Sequence, residues 1–386
     1  MAFLNKGNST LNHPGDNDSL VAGRYNLLML PVEVLGEICS HMCGHCCLKN
    51  EDVANLRGWH RDMRPGQVAL SQMSKTCRAL RAMVQPFLFH ALIPSDRYSG
   101  RSFFRFMRTL VERPDLRDRV LEAIVTASDI GWPSFRRSDT SIITDTIAEH
   151  LGKGDWAPLW EAIKLAQTSD DEKIIPDKFA ALTSLLLHLA PNLKRANLTL
   201  PRLAHDTTRE GATEIPATFP TGDHSLDPTT ATTTPLFPNL TTLTFSWNRM
   251  PFASLRNLTA TIGPHLSKVL LVQQSNHIEV HEAVEALKPF KASLKELIVF
   301  YRGDRWCKAQ RPVALREFTA LQTFKVESHA FDWKDKEASK DMFVEILPPQ
   351  IRRLGVIGYA PCAPALKNLM LAVKAGEFPD LEFVRA

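Results

Sequence analysis

Apolar positions first fall into a helical rhythm near residue 30. Leu35, Ile38 and Met42 lie on one face at steps of three and four. A second periodic stretch, ALSQMSKTCRALRAMVQPFLFHAL, covers residues 69–92. Its stripe is Leu70, Met73, Cys77, Leu80 and Val84, and Pro86 is expected to close the helix because it cannot donate to the turn before it. Between the two, residues 43–66 carry Cys, Gly, Asn and Pro and read as an insertion. Residues 1–26 are rich in Asn, Ser, Gly and Asp and read as a flexible tail.

Beyond residue 100 a different pattern takes over. The spacing L-x-x-L-x-L, with conservative swaps, appears at Leu193/Ala196/Leu198, Leu240/Leu243/Phe245, Leu266/Val269/Leu271, Leu294/Leu297/Val299, Leu321/Phe324/Val326, Ile351/Leu354/Val356 and Leu381/Val384/Ala386. From Leu240 the steps are 26, 28, 27, 30 and 30 residues. An earlier, degenerate copy is expected at Leu121/Ile124/Thr126. Self-similarity at this period is the mark of leucine-rich repeats, one strand and one helix per unit. Helical faces fit between the strands: Phe179/Leu182/Leu186/Leu189, Val280/Ala283/Val284/Leu287 and Leu366/Leu369/Met370/Val373. The step from Leu193 to Leu240 is 47 residues, and residues 206–235, with ten Thr and four Pro, read as a disordered loop that accounts for the excess.

Composition narrows the function. Hydrophobic residues are 44% and charged residues 23%, enough to bury a core. A net charge of +4 on 386 residues points to neither nucleic acid nor membrane. The start has no long apolar segment and no run reaches 18 apolar residues, so neither a signal peptide nor a membrane span is expected. Seven unevenly clustered cysteines do not resemble a secreted disulfide framework, and a reducing cytoplasmic or nuclear setting fits better.

Cys43-x-x-Cys46, with His41, His45, Cys47 and His60 near it, is the strongest metal candidate. A structural zinc takes four ligands, as a rule in two paired spacings, and only one pair has that form here. The expectation is therefore free thiols in an irregular insertion, with no metal and no cofactor. His277 and His281 beside Glu282 and Glu285 lack the HExxH order and read as a solvated helix face. No phosphate loop, dinucleotide fingerprint or nucleophile elbow occurs, so no catalytic residues are assigned and an enzyme is not expected.

LPVEVLGEIC at 30–39, followed by ALSQMSKTCRALRAMVQPFLFH, resembles the F-box of fungal F-box proteins. The shared features are Leu30-Pro31, the acidic Glu33, apolar Leu35 and Ile38, and a later hydrophobic-Ser-x-x-Cys-Arg pattern. Phe87 and Phe89 stand where the family often has Tyr or Trp, and the helices are spread further apart than in the usual F-box. The family joins an F-box to a C-terminal repeat domain, and leucine-rich repeats are a frequent choice. The expected architecture is α/β: a small all-helical F-box over 27–92 followed by an irregular leucine-rich-repeat solenoid over 93–386.

The resemblance implies a substrate-recognition subunit of a Skp–cullin–F-box ubiquitin ligase. Its partners would be a Skp-type adaptor, a cullin reached through that adaptor, and an unknown protein substrate. Leu30, Pro31, Glu33, Leu35, Ile38, Leu70, Met73, Cys77 and Leu80 would dock the adaptor. The alternative is an interaction scaffold that uses the same contact without recruiting the cullin. In the repeats, the positions between the leucines would face a concave surface. There Arg195, Thr244, Lys268, Phe300, Lys325 and Arg353, with the FYRGDRW stretch carrying Tyr301, Arg302, Arg305 and Trp306, would contact a target.

Overall fold

The computed structural model describes residues 27–47, 56–92, 101–126, 186, 189–199, 237–247, 252–273, 280–301, 315–327, 339–358 and 362–385. The expected tail at 1–26 and the Thr-rich loop at 206–235 lie outside these residues.

The N-terminal unit is built from four helices. A single 3-10 turn, Leu27–Met29, leads to Pro31, which caps α1 (Val32–Met42) with φ −53° and ψ 147°. Proline is tolerated there because a donor at the helix start has no intrahelical partner. Cys43 ends α1 in extended conformation, and α2 (Gly44–Cys47) follows at once. Helix α3 (Leu56–Thr76) and helix α4 (Arg78–Leu88) complete the unit.

In the insertion at 43–66, α2 and the first half of α3 are helical. Two sequence expectations change here. The stripe from Leu70 to Val84 is not one helix. It breaks at Cys77, whose extended backbone (φ −154°) caps α4 while its Sγ accepts from the Leu80 N–H at 3.5 Å. Pro86 does not close the helix either, for α4 runs to Leu88 and loses one backbone bond rather than the turn.

Helices α1 and α3 cross with their backbones in contact. A Cβ added to Gly66 would lie 2.1 Å from the Met42 carbonyl oxygen, which is backbone and cannot swing aside. Gly66→Ala should therefore destabilise the helical unit by about 2–3 kcal/mol, the usual cost of forced overpacking. Urea denaturation followed by helical circular dichroism checks this; an unchanged midpoint would mean that the two helices separate at little cost.

The remainder is a parallel sheet of nine strands whose spatial order equals the chain order. The strands are β1 (Ala91–Leu92), β2 (Glu122–Thr126), β3 (Arg195–Thr199), β4 (Thr242–Trp247), β5 (Lys268–Gln273), β6 (Glu296–Tyr301), β7 (Thr323–Glu327), β8 (Arg353–Ile357) and β9 (Phe383–Arg385). Parallel neighbours need crossovers, and α5 (Arg101–Glu112), α6 (Phe252–Ala260), α7 (Val280–Leu287), α8 (Met342–Ile346) and α9 (Ala363–Lys374) lie in them. The protein is thus mixed α/β. Among the described residues no helix is long and apolar enough to cross a membrane.

The register explains the core. Ala123, Ala196, Leu243, Val269, Leu297, Phe324, Leu354 and Val384 pair in one continuous row, and Val125, Leu198, Phe245, Leu271, Val299, Val326 and Val356 form the next. All but half-buried Val384 are buried, in a single cluster with Met107, Leu110, Leu287, Phe318, Phe343 and Leu369 from the crossovers. Asparagine and serine close the turns that precede the strands. Asn239 Nδ2 donates to the Pro191 carbonyl at 3.2 Å and Ser293 Oγ to the Leu266 carbonyl at 2.9 Å.

At β2 the sequence reading slips by one residue. The inward set is Val120, Ala123 and Val125, not Leu121, Ile124 and Thr126. A one-residue slip turns every side chain to the other face, so Glu122 lies on the face opposite the core. In α9, Leu369 is buried while Met370 points outward at 46% exposure, and Ala365 and Ala372 take the inner positions instead.

Candidate functional site

Three surfaces bear on function. The first is the approach to α1. Leu27, Leu28, Met29, Leu30, Val32 and Val34 are six large apolar side chains exposed within eight residues, Met29 at 82%. Pro31 and Glu33 are exposed beside them and Ile38 is half-buried. Isolated exposed apolar side chains are ordinary, but a run of them is not. Leu35, Leu70 and Leu80 do not belong to this surface: all three are buried within the protein itself. They hold the helices together, so the helical unit does bury Leu35 without a partner. Met73 packs half-buried against Cys39, Cys43, Leu70 and Val84, and Cys77 is half-buried as the cap of α4.

The second surface is the sheet face opposite the core. Glu122, Arg195, Thr242, Lys268, Glu296, Thr323 and Arg353 pair across neighbouring strands in one row. Two of the cations proposed to meet a target are already engaged. Arg195 Nη2 lies 2.6 Å from Glu122 Oε2, and Lys268 Nζ lies 2.8 Å from Glu296 Oε2. Thr244 is buried and offers no contact surface. Leu270, Val272 and Ile298 form a buried apolar cluster with half-buried Phe300. Lys325 is half-buried with its stem over Gly355, and Arg353 is exposed. Tyr301 ends β6. Arg302, Arg305 and Trp306 lie outside the described residues, as does His277.

The third is the junction where α4 runs through Phe89 and His90 into β1. Four side chains converge there: Cys43, His45, Cys46 and His90. One ligand atom from each falls within 4.8 Å of the others. Cys43 Sγ is 3.7 Å and Cys46 Sγ 3.4 Å from His90 Nδ1, and Cys46 Sγ is 3.8 Å from His45 Nδ1. Cys43 is buried, and both sulfurs are free thiols. Burial lowers the pKa of both rings. His45, also facing Arg195, His90 and Lys194, is pushed down to about 4, while at His90 Arg119 adds to the burial. Both are therefore neutral imidazoles at pH 7, the form that offers a lone pair. His41 is elsewhere, exposed and 3.1 Å from Glu37. The side chains of Cys47 and His60 lie outside the described ones.

Sequence reading named Cys43, His45 and Cys46 but missed His90, which follows Cys46 by 44 residues. The one signal was a polar ring inside the apolar FLFHAL run. Glu122 was missed through the register slip. It belongs to the same junction, since its N–H donates to the His90 carbonyl at 2.9 Å and its partner Arg195 reaches the His45 carbonyl at 3.5 Å.

Burial raises the Glu122 pKa from 4.5 to about 7, outweighing the opposing pull of Arg195. The folded state then holds a proton that the unfolded state releases. The contribution of Glu122 to stability is greatest below pH 4.5 and declines as pH rises towards about 7. Glu122→Gln removes that decline, so the variant should gain on the native protein over this window in paired urea titrations. A stability difference that stays flat with pH would show that Glu122 is ionised throughout.

In comparisons with known proteins, the chain matches no protein-family model and no curated protein.

Proposed function

We propose that this protein is a substrate-recognition subunit of a Skp–cullin–F-box ubiquitin ligase. The F-box spans 27–92, its last two residues entering the sheet as β1, and an irregular leucine-rich-repeat solenoid spans 93–386. The observation that carries the reading is the exposed apolar run at 27–34, at the start of the helix that opens with Leu-Pro. Such a run is stabilised by packing into the groove of a partner helix bundle, and a few apolar anchors dominate contacts of this kind. The nine strands paired in chain order support the solenoid, in which each unit stacks only on its neighbours.

The chain itself carries out no bond-breaking step in this reading. It holds a target near the ubiquitin-charged subunit, so the rate gain comes from proximity. The target would lie along the sheet face that bears Phe300, Lys325 and Arg353, with Arg195 and Lys268 serving to hold neighbouring strands together. Affinity purification of the tagged protein should recover both a Skp-type adaptor and a cullin. Recovery of the adaptor alone would favour the scaffold alternative, and recovery of neither would overturn the F-box assignment.

A further inference from the structure

We propose that Cys43, His45, Cys46 and His90 form a structural zinc site that clamps the end of α1 to the first strand of the sheet. The donor set is two thiolates and two imidazoles, which suits a tetrahedral zinc ion. In such a site, bonds of about 2.3 Å to sulfur and about 2.0 Å to nitrogen place sulfur and nitrogen ligands roughly 3.5 Å apart. Three of the four sulfur–nitrogen separations, at 3.4, 3.7 and 3.8 Å, already sit near that spacing.

Both sulfurs approach the same ring nitrogen, His90 Nδ1. A neutral imidazole nitrogen has one lone pair and accepts one S–H at most. Cys43 has another acceptor, the Phe87 carbonyl at 3.5 Å, and Cys46 has a second ring nitrogen, His45 Nδ1, at 3.8 Å. A metal ion at the centre of the four atoms would replace these separate contacts with one partner shared by all four.

The backbone is set up for this. Cys43 leaves α1 in extended conformation and the Cys46 N–H donates to the Cys43 carbonyl at 3.0 Å, so the two sulfurs are presented from one tight turn. His90 arrives from the other side, fixed by its carbonyl to the Leu121 and Glu122 N–H groups. Binding converts two thiols to thiolates and releases two protons to solvent, leaving a site with no net charge. Because His90 precedes β1 directly, the ion sets the angle between the proposed adaptor-docking edge and the sheet.

The test uses the full chain, purified under reducing conditions after growth with zinc and then passed into metal-free buffer. Elemental analysis should give one zinc per chain. Exchange for cobalt(II) should give the intense visible bands of a tetrahedral ion, with thiolate-to-cobalt charge transfer in the near ultraviolet. Cys46→Ser and His90→Ala should each weaken zinc binding at least about tenfold, while His41→Ala should not. Circular dichroism of each variant separates lost ligation from lost folding. If both ligand variants unfold, the cobalt spectrum of the native chain decides alone. A folded native chain without bound zinc and with no tetrahedral cobalt spectrum would overturn the proposal. So would a folded Cys46→Ser that keeps full zinc affinity.

Discussion

Replacing Leu30 and Pro31 together by alanine is expected to weaken adaptor binding by about 100-fold or more, roughly 2.7 kcal/mol, without unfolding the chain. Leu30 is exposed and Pro31 precedes the first helical residue, so neither holds the core together. Binding energy concentrates in a few buried anchors, and truncating an anchor costs about 2 kcal/mol or more. Removing Pro31 also frees the entry to α1, adding backbone entropy that binding must then freeze. Leu35→Ala gives the contrast. Leu35 is 2% exposed, so its truncation acts through folding and lowers the unfolding midpoint. Titration calorimetry and circular dichroism on both variants separate the two effects. Undiminished binding by the Leu30/Pro31 variant would move the docking surface elsewhere.

The largest loss of stability is expected from Phe324→Ala, about 3–5 kcal/mol. Phe324 has no exposed surface and is the one aromatic side chain in its inward row, between Leu297 on β6 and Leu354 on β8. Deleting the ring leaves a cavity that the flanking strands cannot close without losing the register that pairs them. In a stack where each unit leans on its neighbours, the damage should spread to both sides. The denaturation curve should then broaden, with a lower slope as the two halves uncouple. Phe324→Leu retains most of the volume and should cost less than about 1.5 kcal/mol. A Phe324→Ala variant as stable as the native chain would mean that this row does not form the core.

Much of this was legible in the chain. Seven strands were marked by pairs of apolar residues two apart, preceded by a third. That signal is strong because the inward positions are buried and must stay apolar. β1 has only two residues, too few for any alternation to show. β2 misled because Leu121 and Ile124 are larger than the residues that point inward, Ala123 and Val125. Size suggested one register and hydrogen bonding fixed the other, and the slip concealed Glu122. In the helical unit the apolar periodicity carried through Cys77, where the backbone breaks. Periodicity reports which side chains face the core and is blind to a cap that keeps the stripe aligned. The cysteine–histidine cluster was legible in three of its four members. Local spacing exposed Cys43, His45 and Cys46, but His90 lies two residues beyond the end of α4 and is brought back by the packing of α1 against α4.

Binding of a Skp-type adaptor at the exposed edge 27–34, as proposed, is measured directly by reconstitution from purified parts. The full chain and a Skp-type adaptor, mixed in equal amounts and resolved by gel filtration with light scattering, should elute as a one-to-one complex. The same mixture with the Leu30/Pro31 variant should elute as two separate species. A native chain that stays apart from the adaptor at concentrations far above those of a stable complex would contradict the account.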